Sequence, residues 1–131
     1  MTGTATKAIN VLLAAWSIAA LAAAVSHFLM PAWTAAGTVW PASPGWQREI
    51  AYFDVLLAAV FLAVARSKDV QLKRAATLAI VALSIALGAH HFAGWLVEPR
   101  PFHIIFTLGN FSAAFWGLGC LLHTRQADRR L

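Results

Sequence analysis

Seven side chains in this sequence could carry chemistry in surroundings that otherwise exclude it. His27, Glu49, Asp54, His90, His91, His103 and Asn110 all lie within or at the edge of long apolar runs. Imidazole nitrogens bind zinc, copper, iron or nickel, and a carboxylate can complete such a set. His27, Glu49, His91 and His103 are therefore one candidate metal set. Two histidines on facing helices could instead hold a haem iron, and His27 with His91 is the pair matched in depth. The third option needs no metal. His27, Asp54, His90, His91 and Asn110 would hydrogen-bond a quinone or another lipid-soluble molecule enclosed by Phe and Trp. Spacing does not choose among the three, because no span contains a His-x-x-x-His pair. There is also no phosphate loop and no nucleophile elbow, so no catalytic residue is assigned.

The elements that must position these groups follow from composition. The chain has 131 residues, 60% hydrophobic and only 11% charged. A soluble domain of that size needs more charge to cover its core. The ionisable residues instead punctuate four apolar runs, 8–30, 46–65, 75–97 and 102–122, each near the ~20 residues that cross a bilayer as helix. The first run exceeds the 7–15-residue core of a signal peptide, so it reads as a retained span. The expected fold is all-α: a single domain over 1–131, an integral membrane four-helix bundle made of two antiparallel hairpins. Pro31, Gly37, Pro41, Pro44 and Gly45 break any continuous helix over 31–45. Pro99 and Pro101 make the last turn short, which forces spans three and four to be antiparallel neighbours.

Charge sets the expected orientation. Lys7, Arg66, Lys68, Lys73, Arg74, Arg125, Arg129 and Arg130 flank one face, and only Arg48 and Arg100 the other. Positive residues collect on the cytoplasmic side, so both termini are expected inside and the 31–45 loop outside. The same asymmetry accounts for the net charge of +5 without nucleic acid. The partner is the lipid bilayer. The lone Cys120 permits no intrachain disulfide and reads as a packed thiol.

Helical spacing puts one small or polar stripe on each span. The stripes are Ser17, Ala20, Ala24 and His27; Ala51, Asp54, Ala58 and Ala65; Ser84, Gly88, His91 and Trp95; and His103, Thr107, Asn110, Ala114 and Gly117. Turned inward, they enclose a polar pocket near the outer end, with Trp95 a candidate wall. Asp54 lies two turns into its span, where a carboxyl must be paired or protonated. Glu49 reads more simply as a solvated neighbour of Arg48, and His103 equally as an interfacial histidine. Gly109, Ala113 and Gly117 form a small-xxx-small ridge, expected to pack helices closely or to mediate a homo-oligomer. By that reading Gly109 tolerates a side chain less well than Gly37.

Two stretches carry a family likeness, Trp46-Gln-Arg-Glu-Ile-Ala-Tyr-Phe-Asp54 and Gly88-Ala-His-His-Phe-Ala-Gly94. With the length and the four-span layout, they make the chain resemble the small DoxX-like membrane proteins of bacteria. They sit nearer to outlying relatives than to the founding members. The resemblance implies a bacterial cytoplasmic (inner) membrane and an association with a membrane redox complex or quinone chemistry. Three function classes follow. The first is a redox-associated auxiliary that binds a metal, haem or quinone-like molecule. The second is a structural or assembly subunit whose polar residues only lock its helices. The third is a small transporter, which would need a polar path through the Ala- and Leu-rich inner half.

Overall fold

A computed structural model describes residues 3–128, with side chains from 5 to 124. Met1, Arg129, Arg130 and Leu131, and the side chain of Arg125, lie outside the described residues. Five helices follow one another: α1 (Gly3–Leu29), α2 (Pro31–Ala36), α3 (Pro44–Arg66), α4 (Val70–Val97) and α5 (Pro101–Asp128). No strand occurs among the described residues. Proline starts α2, α3 and α5, where its missing N–H costs nothing because the first turn has no intrahelical acceptor for it. Asp69 caps α4, its side chain accepting from the N–H groups of Gln71 (2.8 Å) and Leu72 (3.0 Å).

Stretches of α1 (Ala5–Leu29), α4 (Val70–Val97) and α5 (Pro101–Thr124) are long and apolar enough to cross a membrane. α3 has the length, but every 18-residue stretch of it holds three of Arg48, Glu49, Asp54 and Arg66. The loop expected over 31–45 contains one six-residue helix, α2. It was hidden from the sequence because Pro31 can open a helix as readily as break one.

The long helices associate in two pairs, α1 along α3 and α4 along α5, and the pairs meet more loosely. The polar stripes face inward as spacing requires. Ser17, Ala20, Ala24, Ala51, Ala58, Ser84, Gly88, His103, Thr107, Ala114 and Gly117 are all buried. The solid core occupies the half of the molecule nearest the described termini, where Ile9, Leu12, Leu13, Phe61, Val64, Ile80 and Cys120 pack together. Cys120 is a free, buried thiol there. Lys73, only 4% exposed, ties three helices at this end. Its ammonium donates to Asn10 Oδ1 (2.5 Å) on α1 and to the carbonyl of Ala65 (3.1 Å) in the last turn of α3. That carbonyl has no helical partner of its own, so the lysine both caps α3 and satisfies its own charge.

The small residues divide into two kinds. A Cβ on Gly117 would lie 2.6 Å from Val81 Cγ2 and 3.5 Å from Leu12 Cδ2, so glycine there lets α5 approach α4 and α1. A Cβ on Gly109 would meet nothing within 4 Å. The expectation that Gly109 belongs to a packing ridge is therefore corrected: α1 and α5 touch at Leu12 and Gly117 and have parted by the level of Gly109. Gly37 is corrected in the opposite sense, because a Cβ there would overlap the Phe102 ring.

A graded series tests this. Gly117→Leu and Gly37→Leu should each lower stability by ~1–3 kcal/mol, the usual cost of overpacking, whereas Gly109→Leu should leave it nearly unchanged. Thermal unfolding in detergent reads the order, and a large loss at Gly109 would contradict the parted helices.

Candidate ligand-binding cavity

Above the core the two helix pairs flank a partly open cavity of about 990 Å³. Its floor is Trp16, fixed by a hydrogen bond from its indole N–H to Ser84 Oγ (3.1 Å) and an edge contact with Phe61 (centroids 5.7 Å apart). Its width comes from small side chains facing one another, Ala15, Ala19 and Ala23 on α1 and Gly109, Ser112 and Ala113 on α5. Its roof is the segment after α2, with Thr38, Trp40 and Pro41.

The roof is held down by α5. The Phe102 N–H donates to the Gly37 carbonyl (3.1 Å), and the Val39 N–H donates to His103 Nε2 (3.0 Å). His103 has no exposed surface. Its ring lies so close on α4 that a Cβ at Gly94 would be 2.5 Å from Cε1, so glycine at 94 is what admits it. The bond from Val39 also fixes where the protons sit. An imidazole nitrogen that accepts cannot carry hydrogen, so neutral His103 holds its proton on Nδ1. That atom lies 3.2 Å from His91 Nδ1 and must donate to it. His91 then keeps its own proton on Nε2. Trp40 covers the group, stacked on His90 (4.6 Å, 10°) and edge-on to His103 (4.9 Å, 87°).

His27, Asp54, His90, His91 and Asn110 all line this cavity. His90 is exposed and His91 half-buried, as expected of residues a quarter-turn apart. Asn110 donates from Nδ2 to the carbonyl of Phe106 (2.8 Å) in its own helix. Glu49 is exposed and takes no part in the wall, and His103 stands behind it rather than in it. Among the described residues, no group of three or more His, Cys, Asp or Glu side chains is placed to hold a metal ion. The expected set His27, Glu49, His91 and His103 thus does not come together: Glu49 is on the surface, and both ring nitrogens of His103 are engaged. Trp95 is also absent from the wall, where Trp16, Trp40, Trp46 and Trp116 stand instead. It packs on Phe92 (6.2 Å).

Gln47 was not foreseen. It is buried and lines the cavity one turn before Ile50 and two turns before Asp54 on the same face of α3. The seven-residue spacing from Gln47 to Asp54 was the available signal. Three atoms of this wall are buried with no hydrogen-bond partner: His27 Nδ1, Gln47 Oε1 and Asp54 Oδ2. The hydroxyls nearby do not serve them, since Thr34 donates to the carbonyls of Ser26 and Met30 and Thr38 to that of Ala35. An unpaired buried polar atom costs about 1–3 kcal/mol. Three in one wall mark a place that is complete only when something else supplies the partners.

No protein-family model, curated protein or solved structure matches the chain. The geometry alone therefore carries the functional reading.

Nitrogen-resolved NMR in detergent at neutral pH tests the proton assignment. His103 should show the Nδ1–H tautomer and His91 the Nε2–H tautomer. The reverse assignment at His91 would break the chain of donors drawn from Val39.

Proposed function

We propose that this chain is a small multi-pass membrane protein that holds a membrane-dissolved organic molecule between its two helix pairs. The observation that carries the reading is the coincidence of three unpartnered polar atoms in one largely apolar cavity of ligand size. Binding sites for small organic molecules run to ~300–1,000 Å³ and combine apolar walls with a few convergent polar groups. The cavity of about 990 Å³ has Ala, Trp and Phe for walls and His27, Gln47 and Asp54 as the convergent groups.

Of the three chemistries open to the sequence, this favours the metal-free one. A haem or metal ligand must offer a bare ring nitrogen, and the donor chain from Val39 leaves His91 Nε2 protonated. A ligand of quinone-like size and solubility fits instead, in keeping with the DoxX-like resemblance and an auxiliary role beside a membrane redox enzyme.

A bilayer setting is supported by the surface. Ile18, Phe53 and Phe115 are each more than 60% exposed, at 69%, 67% and 74%. Phe53 belongs to α3, as do the exposed Val55, Leu56 and Val60, so the helix with the most charges also turns an apolar face outward. We read α3 as a fourth span that directs Asp54 inward and those residues to lipid, giving a four-helix transmembrane bundle. The basic residues Arg66, Lys68, Lys73 and Arg74 support a reading in which the core end and both termini face the cytoplasm of a bacterium and the cavity roof faces outward.

Two experiments test these readings. Reporter fusions at the C-terminus and within residues 41–43 should report inside and outside respectively; a C-terminal fusion active outside would overturn the topology. For the cavity, organic extracts of protein purified in mild detergent should contain a lipophilic compound near one per chain. Gly109→Trp should lose it, because the indole would fill the open space, while the protein still folds and unfolds cooperatively. Gly119→Trp is the control, since a Cβ there also meets nothing within 4 Å but Gly119 does not line the cavity. Equal loss in both, or in neither, would sink the assignment.

A further inference from the structure

The polar atoms of the cavity are not an arbitrary mixture, and their types restrict what can bind. Gln47 Oε1 is an acceptor only, and so is Asp54 Oδ2 when ionised; His27 Nδ1 accepts when its ring proton is on Nε2. These three atoms are the ones left without partners, and all belong to the wall formed by α1 and α3. None of the three receives a hydrogen bond from the described residues. The hydroxyls of Thr34 and Thr38 are already turned to backbone carbonyls, and no Lys or Arg lines the cavity. The donor fixed by the tautomer argument, His91 Nε2–H, belongs to α4 on the other pair. Asp54 is the one acidic residue in the lining.

We infer that the molecule this cavity takes carries a protonated amine on an apolar, ring-sized body, with Asp54 as its counter-ion. The inference rests on the cavity reading above and narrows it. An ammonium group supplies several N–H donors, which the unpartnered atoms of Asp54, Gln47 and His27 can accept. It also supplies a permanent positive charge for a carboxylate in apolar surroundings, which no Lys or Arg of the described lining provides. Indole faces attract organic cations, and the lining includes Trp46 on α3 and Trp40 in the roof. A neutral hydroxyl would satisfy one acceptor and leave the carboxylate uncompensated. A carboxylate-bearing molecule would add a second negative charge beside Asp54.

Four matched probes separate these cases: phenylbutylamine, its trimethylammonium analogue, phenylbutanol and phenylbutyrate. Each is titrated against the full chain in nanodiscs of zwitterionic lipid, with empty nanodiscs subtracted. The amine should bind at least about tenfold more tightly than the alcohol, the size of effect expected for a charge-assisted hydrogen bond. The trimethylammonium analogue, which has charge but no donor, should fall between them, and the anion should not bind. Asp54→Asn should reduce the amine to the level of the alcohol and leave the alcohol unchanged. The probe order on the unaltered protein decides the matter even where Asp54→Asn fails to fold. Equal binding of amine and alcohol, both abolished by Gly109→Trp, would overturn the amine and leave the cavity as a site for neutral molecules. If no probe binds and extracts of the purified protein hold no lipophilic compound, the cavity reading falls as well.

Discussion

The ring of His103 lies at the junction on which the far half of this molecule depends. It starts α5, presses on α4 at Gly94, and receives the Val39 N–H from the roof segment. Three separate parts of the chain are thereby joined by one side chain with no exposed surface. Each of its nitrogens is committed, one accepting from backbone and one donating to His91. In a low-dielectric interior such bonds are strong and their loss is costly, so His103 is held rigidly because both of its nitrogens are satisfied. Trp40 rests on the histidines as a consequence and forms part of the roof over the cavity.

The two halves of the structure use small residues in opposite ways. Near the termini, Gly117 lets α5 sink against Val81 and Leu12, and the interior is filled by Ile9, Leu13, Phe61 and Ile80. Lys73 reinforces that half by bonding α1 and the end of α3 at once. Farther along, Ala15, Ala19, Ala23, Gly109 and Ala113 face space instead of a neighbour. Between helices in lipid, association rests on van der Waals contact and hydrogen bonds rather than on exclusion of water. The packed half can therefore hold the helix pairs together while the other half stays parted. Trp16 divides the two, anchored to Ser84 below the space it floors.

Set beside the satisfied histidine network, the opposite wall is the exception. His27, Gln47 and Asp54 keep buried polar atoms unpaired in a wall of the same cavity. The same interior that strengthens the His103–His91 bond makes those bare atoms expensive. These unpaired acceptors are the feature on which the proposed ligand site rests.

The sequence by itself determined the helices and their faces. Apolar runs of bilayer length, prolines at the connections and three-four spacing located α1, α3, α4 and α5 and turned Ser17, Ala51, Ser84 and Thr107 inward, because backbone geometry ties spacing to face. His27, Asp54, His90, His91 and Asn110, which that spacing groups near one end, line one cavity, with His90 exposed. Three-dimensional packing decided the rest. Whether glycine marks contact or space depends on the distance to the next helix, which separates Gly117 from Gly109 although both lie on one ridge. Whether a histidine is a ligand or a strut depends on what meets its two nitrogens. For His103 those partners are Val39 and His91, distant in sequence by 64 and 12 residues. And Gln47 became part of the wall only when burial removed it from water, a step that local spacing permits but only the neighbouring helices impose.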